Sequence, residues 1–184
     1  MATQYFLITP RLGFRSWSEA DLELAVSLWG DPEVTALFDS RGRLSRGHVK
    51  ERLARELANE RQLGIQYWPF FLRETGEFVG CAGLKPYDVA RGLYEMGFHL
   101  RTPFWGAGYA TEAGRAVIEH AFATLEPTAL LAGHNPRNHA SRRVLEKLGF
   151  TYLRDEHFAG TGLMHPLYEL RPPRESAEPH EPGV

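Results

Sequence analysis

The chain has 184 residues, a formal net charge of −2 and a single cysteine. This length supports one domain with a sizeable core, and the near balance of charges gives no general attraction to nucleic acid. One cysteine excludes an intrachain disulfide, and no apolar run approaches the length of a membrane span. We therefore expect a cytoplasmic protein that binds neither nucleic acid nor membrane.

The first half of the chain predicts a strand, several helices and a β-hairpin. Ser18 occupies an N-cap position with Asp21 three residues later, and Ser45 caps a helix that directs Val49 and Leu53 inward. The hairpin turn is expected at residues 74–77. The predicted elements are a strand near 11–16, a helix over 19–29, a short helix that follows residues 30–32 and ends near 38, a helix over 46–62, and strands near 66–73 and 78–85.

The second half predicts strands that alternate with helices, which together with the hairpin indicates a mixed sheet with helices on both faces. The predicted elements are a strand over 93–100, a helix over 109–125, a strand over 129–133, a helix over 139–148, and strands near 150–157 and 165–171. From residue 172 the chain is rich in proline and glutamate. We expect a single domain over 1–171 and a disordered tail over 172–184.

Two glycines, Gly106 and Gly108, stand immediately before the helix that begins near residue 109. The first N–H groups of a helix have no intrahelical acceptor, and the helix dipole places partial positive charge there. Glycine has no Cβ, so a phosphate can approach its backbone closely. The pattern predicts a binding site for a phosphate-bearing cofactor.

Two common phosphate-binding motifs fit this segment poorly. A P-loop requires a lysine after its second glycine, and Tyr109 follows Gly108 here. The segment loosely matches a dinucleotide fingerprint, but that fold needs an acidic residue about 20 positions on, at the end of the next strand. The strand over 129–133 ends in His134 and Asn135, without a carboxylate.

The residues that follow the glycines narrow the choice of family. Three blocks, read together, resemble the GCN5-related N-acetyltransferase (GNAT) superfamily and its RimJ/RimL-like branch. The blocks are Trp105-Gly106-x-Gly108-Tyr109-Ala110-Thr111-Glu112-Ala113, then Asn135-x-x-Asn138-x-x-Ser141, then Val144-Leu145-Glu146-Lys147-Leu148-Gly149-Phe150. The resemblance covers roughly residues 5–171. One departure is Pro103, a position where many members carry glutamine or arginine, and proline offers no donor to a phosphate.

The resemblance implies a fold, a co-substrate and a set of binding residues. The fold is α/β, a central, mostly antiparallel mixed sheet with helices on both faces, splayed where acyl-CoA binds. The implied co-substrate is acetyl-CoA, and no metal is implied. The residues implied to bind the co-substrate are Phe98, Leu100, Trp105, Gly106, Ala107, Gly108, Tyr109, Ala110, Thr111, Asn135 and Asn138.

Acetylation of an amine requires a base that removes a proton and an acid for the leaving thiolate. Glu95 resembles the water-mediated base of the family, and Ser141 resembles its acid; a solvated glutamate and a helix-start serine are the structural alternatives. His99 shares the strand face of Glu95, but four residues separate them by roughly 13 Å, so a structural or substrate-lining role is expected. Cys81 has no activating neighbour in the sequence and is not expected to act as a nucleophile.

The sequence leaves the acceptor open. RimJ/RimL-like proteins include enzymes for the α-amine of protein N-termini and others for small amines or antibiotics. We expect direct transfer to a primary amine in a ternary complex, with a protein N-terminus or a small molecule as acceptor. A module that binds acyl-CoA without catalysis remains an alternative, and the protein is expected to be a monomer or homodimer.

Overall fold

The computed structural model describes residues 4–173. Within that range the helices are α1 (Leu22–Trp29), α2 (Pro32–Thr35), α3 (Arg46–Leu63), α4 (Tyr109–Thr124) and α5 (His139–Lys147). The strands are β1 (Leu7–Ile8), β2 (Leu12–Phe14), β3 (Tyr67–Leu72), β4 (Phe78–Asp88), β5 (Leu93–Leu100), β6 (Ala129–Gly133), β7 (Thr151–Phe158) and β8 (Leu163–Leu170).

The strands form one eight-stranded sheet in the order β1-β2-β3-β4-β5-β6-β8-β7. All neighbours are antiparallel except β5 and β6, which run parallel. A parallel pair needs a crossover connection, and α4 supplies it. The mostly antiparallel mixed sheet expected from the sequence is therefore confirmed.

The parallel pair separates partway along its length. β5 and β6 are paired only from Leu93 to Glu95, although β5 continues to Leu100 and β6 to Gly133. Beyond Glu95 the two strand edges diverge, and their backbone N–H and C=O groups no longer bond to each other. Since unpaired strand edges hydrogen-bond readily to other groups, the gap is suited to an elongated polar ligand.

Alternating side chains give the sheet two apolar faces, each covered by helices. On β3, Trp68 and Phe70 contribute to the core beneath α4 and α5, whereas Tyr67 and Phe71 contribute to the core beneath α1, α2 and α3. Helices therefore cover both faces, as the sequence predicts. Within residues 4–173, no helix is long and apolar enough to cross a membrane.

Local signals account for most element boundaries. The Ser45 hydroxyl accepts a hydrogen bond from the His48 N–H at the start of α3, and Gly64, with φ of 67°, ends that helix. The strand predicted near 11–16 is shorter in the structure, because the chain turns between β1 and β2. The tail predicted from residue 172 lies, from residue 174 on, outside the described residues.

Candidate functional site

A cavity of about 550 Å³ passes through the sheet where β5 and β6 diverge. Its lining comes from both faces of the sheet. We call the part beside α4 and α5 the glycine-loop end, and its lining includes Gly106, Gly108, Asn138 and Ser141. We call the part beside α1–α3 the aromatic end, and its lining includes Phe38, Arg52, Tyr67 and His99.

Backbone N–H groups dominate the glycine-loop end. The first backbone hydrogen bond of α4 runs from the Glu112 N–H to the Gly108 carbonyl, so the N–H groups of residues 108–111 lack intrahelical acceptors. Gly106 and Gly108 have φ of 77° and 81°, and a Cβ on Gly106 would meet no atom within 4 Å. The loop therefore offers donors and space for an anion such as a phosphate.

The β1–β2 turn holds this loop in place. Arg11 donates from Nε to Glu112 Oε2 at 2.6 Å and from Nη1 to the Ala107 carbonyl at 3.0 Å, and its guanidinium lies 4.3 Å from the Tyr109 ring centre. The Thr9 hydroxyl donates to Glu112 Oε1 at 2.6 Å. Burial opposes ionisation of Glu112, but these hydrogen bonds outweigh it and lower its pKa. No sequence pattern indicated this link, because its partners are about a hundred positions apart.

Replacing Arg11 by methionine is expected to weaken binding of coenzyme A about 5- to 10-fold. The variant loses the hydrogen bond to the Ala107 carbonyl and the ion pair with Glu112, which together hold the glycine loop in place. Isothermal titration with coenzyme A measures the change. Arg46→Met is the control, since Arg46 pairs with Glu23 on the surface away from the cavity. Equal affinity of the two variants would remove the positioning role of Arg11.

The amide side chains predicted to bind a cofactor also support the start of α5. Asn138 Oδ1 accepts the Ser141 N–H at 3.0 Å, and Asn135 Oδ1 accepts the Arg137 N–H at 3.0 Å. Each capping bond uses the carboxamide oxygen, which leaves the carboxamide NH₂ as a donor. Both asparagines and Ser141 line the cavity, so capping and ligand contact are compatible.

Glu95 lines the cavity at the last position where β5 is paired with β6, and it forms an ion pair with a residue of β4. Its Oε1 lies 3.0 Å from Lys85 Nζ, and the two residues are direct partners in the β4–β5 register. No other ion pair or side-chain hydrogen bond engages Glu95 within residues 4–173, so its second oxygen can accept a proton or a water hydrogen bond. The sequence analysis did not identify Lys85 as the partner of Glu95, although the antiparallel register of β4 and β5 could have indicated it.

His99 lies on the same face of β5 as Glu95, as strand alternation predicts, but its surroundings differ. Its Nδ1 accepts the Trp29 indole N–H at 3.2 Å, and its ring stacks on Phe38 at 4.4 Å. Burial lowers the pKa of His99 well below its ordinary value, and the positive charges of Arg52 and Lys85 add to the effect. The histidine is therefore neutral at neutral pH, with its proton on Nε2.

We expect the free energy of unfolding to fall as pH drops from about 7 to about 5, by up to about 1.4 kcal/mol per pH unit for each histidine kept neutral by the fold. The unfolded chain takes up protons near the ordinary histidine pKa of 6.5, whereas the folded chain does so only at lower pH. Burial lowers the pKa in this way for His99, His120, His134 and His165.

Urea unfolding at several pH values tests this dependence. His99→Asn is expected to flatten the slope. A stability that does not change over this interval would contradict the expectation.

The structure brings nearly all of the sequence-predicted site residues to this one cavity. Those in its lining are Glu95, Phe98, Leu100, Trp105, Gly106, Gly108, Tyr109, Ala110, Thr111, Asn135, Asn138 and Ser141. Ala107 is absent from the lining, and its carbonyl accepts the bond from Arg11 instead. Cys81 is buried, and burial raises the pKa of its thiol far above the usual range. Among residues 4–173, no group of three or more His, Cys, Asp or Glu residues is placed to hold a metal ion.

Some lining residues were not anticipated. Arg52 precedes Leu53 in the apolar stripe of α3 and lines the cavity. A polar residue directly beside an apolar stripe is the sequence signal that could have indicated its partly inward position. His134 follows β6 and is buried; its Nδ1–H donates to the Asn135 carbonyl at 2.8 Å, and its Nε2 has no partner within the described residues. A histidine next to a motif asparagine carries no separate sequence signal.

Known proteins share this architecture. The family model of the acetyltransferase (GNAT) domain matches residues 11–151. The protein YkkB of Bacillus subtilis strain 168 is 31% identical over 148 residues, which are 79% of this chain and 85% of YkkB. The N-acetyltransferase p20 of Bacillus licheniformis is 29% identical over 146 residues, which are 78% of this chain and 81% of p20.

A solved structure extends the comparison to the fold. RimL, a ribosomal L7/L12 α-N-protein acetyltransferase in complex with coenzyme A, superposes with a TM-score of 0.78 at 14% identity, covering 91% of this chain and 98% of that one. At this identity the likeness concerns the fold.

Proposed function

Because this chain belongs to the GNAT acetyltransferase family, whose members take the acetyl group from acetyl-CoA, we propose that it acetylates the α-amine at the N-terminus of a protein. The chain is an acyltransferase, and acetyl-CoA is its co-substrate. The observation that carries the proposal is the cavity, which joins an anion-binding loop on one face of the sheet to Glu95 and an open aromatic end on the other.

The residues present fit acetyl-CoA. The free N–H groups of residues 108–111 and the open space at Gly106 would hold its pyrophosphate. The diverging edges of β5 and β6 would meet the amide groups of its pantetheine arm, together with the carboxamide NH₂ groups of Asn135 and Asn138. Bound there, acetyl-CoA supplies a thioester carbonyl that is reactive towards amines.

Glu95 is the proposed base. An amine is protonated at neutral pH and cannot attack until it loses a proton. The second oxygen of Glu95 accepts this proton through a water, while Lys85 holds the first oxygen in place. The neutral amine would attack the thioester carbonyl, so that the C–N bond forms, the C–S bond breaks and the second amine proton passes to the departing thiolate. In sum, an ammonium ion and acetyl-CoA become an amide, the free thiol of coenzyme A and one released proton, the one taken up through Glu95.

Ser141 is the proposed hydrogen-bond donor to the leaving sulfur. Its hydroxyl lines the cavity at the first turn of α5, and its backbone N–H is already used by Asn138. A hydroxyl is a weak acid, so stabilisation of the thiolate by a hydrogen bond is the main contribution expected.

The protein N-terminus as acceptor is supported by the RimJ/RimL-like motifs and by the fold shared with RimL, which acts on ribosomal L7/L12. The approach to Glu95 is bounded by α2 and by the β7–β8 hairpin, through Val34, Leu37 and Phe158. A small-molecule amine is the competing acceptor, and assays on both kinds of amine separate the two.

Thermal unfolding with acetyl-CoA, coenzyme A, NAD and ATP tests the co-substrate, and thiol release with peptides and small amines tests the acceptor. A ligand at about 100 times its dissociation constant stabilises the fold by roughly 2.7 kcal/mol, which moves the midpoint by several degrees. Selective stabilisation by the two CoA species, with faster thiol release on N-terminal peptides than on small amines, is expected. Faster release on small amines would overturn the protein acceptor, and binding without release on any amine would indicate a non-catalytic module.

A further inference from the structure

The aromatic end of the cavity contains an arginine whose charge has no counter-ion within residues 4–173. Arg52 lies on α3, and its guanidinium carbon is 4.6 Å from the Trp29 ring centre and 5.1 Å from the Phe38 ring centre. These rings attract the cation and fix its position. Its side chain also lines the cavity, so the positive charge is available to a bound molecule.

Over the same range, Arg52 forms no ion pair and no side-chain hydrogen bond, and its Nε is buried without a partner. Burying the Nε–H without a hydrogen bond costs free energy, whereas the two Nη groups are not fully buried. Cation–π contacts recover part of this cost but satisfy none of the guanidinium N–H donors. The guanidinium therefore has hydrogen-bond donors left for an anion that enters the cavity.

Among the described residues, no carboxylate in or near the cavity forms an ion pair with Arg52. Glu56, one turn along α3, accepts the Tyr67 backbone N–H at 2.8 Å, and burial raises the pKa of Glu56 despite the nearby positive charge of Arg52. In the cavity lining, Glu95 is paired with Lys85. Glu156 pairs with an arginine of its own strand and accepts the Tyr87 hydroxyl, and Glu33 lies at the exposed surface.

His99 adds a second donor to the aromatic end of the cavity. The two side chains meet through Phe38, whose ring stacks on His99 at 4.4 Å and lies under the Arg52 guanidinium. Since the His99 Nδ1 accepts from Trp29, the neutral ring carries its proton on Nε2 and can donate a hydrogen bond. The guanidinium fork matches the two oxygens of a carboxylate, and the imidazole N–H is a further donor at the same end of the cavity.

We propose that Arg52 binds a carboxylate of the acceptor, so the acceptor is a primary amine that also bears a carboxylate. The inference rests on the proposed acetyl transfer and adds the chemistry by which the acceptor is chosen. The same chemistry is offered by the α-carboxylate of a free amino acid and by an acidic side chain next to a protein N-terminus, and the test uses both. Arg52 thus sets the specificity for the acceptor, while Glu95 accepts the proton of the amine.

The first test compares matched acceptors by thiol release. One arm uses L-amino acids and their α-amides, and the other uses pentapeptides with acidic or neutral second and third residues. The wild-type protein is expected to favour the carboxylate member of at least one arm about 10- to 100-fold in kcat/KM, chiefly through KM. Arg52→Met, which keeps much of the stacking area, should abolish this preference, and Arg52→Lys should retain part of it.

Arg55→Met is the matched control, because Arg55 is exposed on the same helix and is not in the cavity lining. It should keep the wild-type preference. A wild-type protein without preference for the carboxylate member in either arm, or an Arg52→Met variant with its preference intact, would overturn the assignment.

A second measurement needs no turnover. The same pairs, as N-acetylated products, are added together with coenzyme A, and the midpoint of thermal unfolding is recorded. Greater stabilisation by the carboxylate members, lost in Arg52→Met, supports the subsite even if no amine is acetylated, and in that case acetyl transfer fails while the anion site stands. Equal or absent stabilisation by both members overturns the subsite, whatever the thiol-release assay shows.

Discussion

Glu95→Gln is expected to lower kcat about 100-fold or more, because glutamine keeps the size of the side chain but cannot accept the proton of the amine. The Kd for coenzyme A should change by less than about twofold, because the Glu95 carboxylate acts on the amine and does not bind the co-substrate. Steady-state thiol release at saturating acetyl-CoA gives kcat, and isothermal titration gives the Kd.

Glu119→Gln supplies the control for this experiment. Glu119 is exposed on α4 and absent from the cavity lining, so its replacement changes the net charge by the same amount without altering the site. Turnover by Glu95→Gln equal to that of Glu119→Gln would assign proton removal to another group or to water alone.

Gly106→Val is expected to abolish measurable binding of coenzyme A, a loss of at least about 100-fold, because the side chain would occupy the space of the pyrophosphate and strain the loop. Gly106 has φ of 77°, where non-glycine residues cost about 1–2 kcal/mol. The strain alone would lower stability, so the loss of binding has to be separated from it.

Gly76→Val makes that separation possible. Gly76 lies in the β3–β4 turn with φ of 72°, and a Cβ there also meets no atom within 4 Å. The two variants should lose similar stability in urea unfolding, but only Gly106→Val should fail to bind coenzyme A in isothermal titration. Normal affinity in Gly106→Val would refute the role of the loop as the pyrophosphate site.

Local patterns were enough to predict most of the fold. The helical stripe of α4, the alternation of β5 and the glycine before α4 are read from neighbouring residues, and their bounds agree with the structure within a few positions. The mostly antiparallel pairing and the splay come from the resemblance, and the strand order was not predicted, because strand pairing depends on residues far apart. The β1–β2 turn shows the limit: a strand expected over 11–16 begins at Leu12, after Arg11 in the turn has bonded to α4, and it ends at Phe14, before Arg15 bonds to Asp21.

The site residues also divide into those that sequence motifs indicate and those that only the folded chain brings together. Gly106 and Gly108 stand directly before a helix, so neighbouring residues were enough to predict an anion site there, whereas the place of Asn138 and Ser141 beside them was implied by the family resemblance. The aromatic end is assembled from α1, α3, β3 and β5, and no local pattern joins them. Arg52 in particular has an ordinary helical context, and its buried, unpartnered Nε is visible only in three dimensions.

The bonds from Thr9 and Arg11 to Glu112 join parts of the chain separated by 103 and 101 residues. Such contacts close long loops, and closing a long loop costs conformational entropy. β1 and β2 are short strands, β1 at the sheet edge, and the turn between them is bonded to the glycine loop and to Glu112, so we expect these parts to open and close together. Any ligand that fixes the loop therefore also protects the first strands of the chain, although it touches neither.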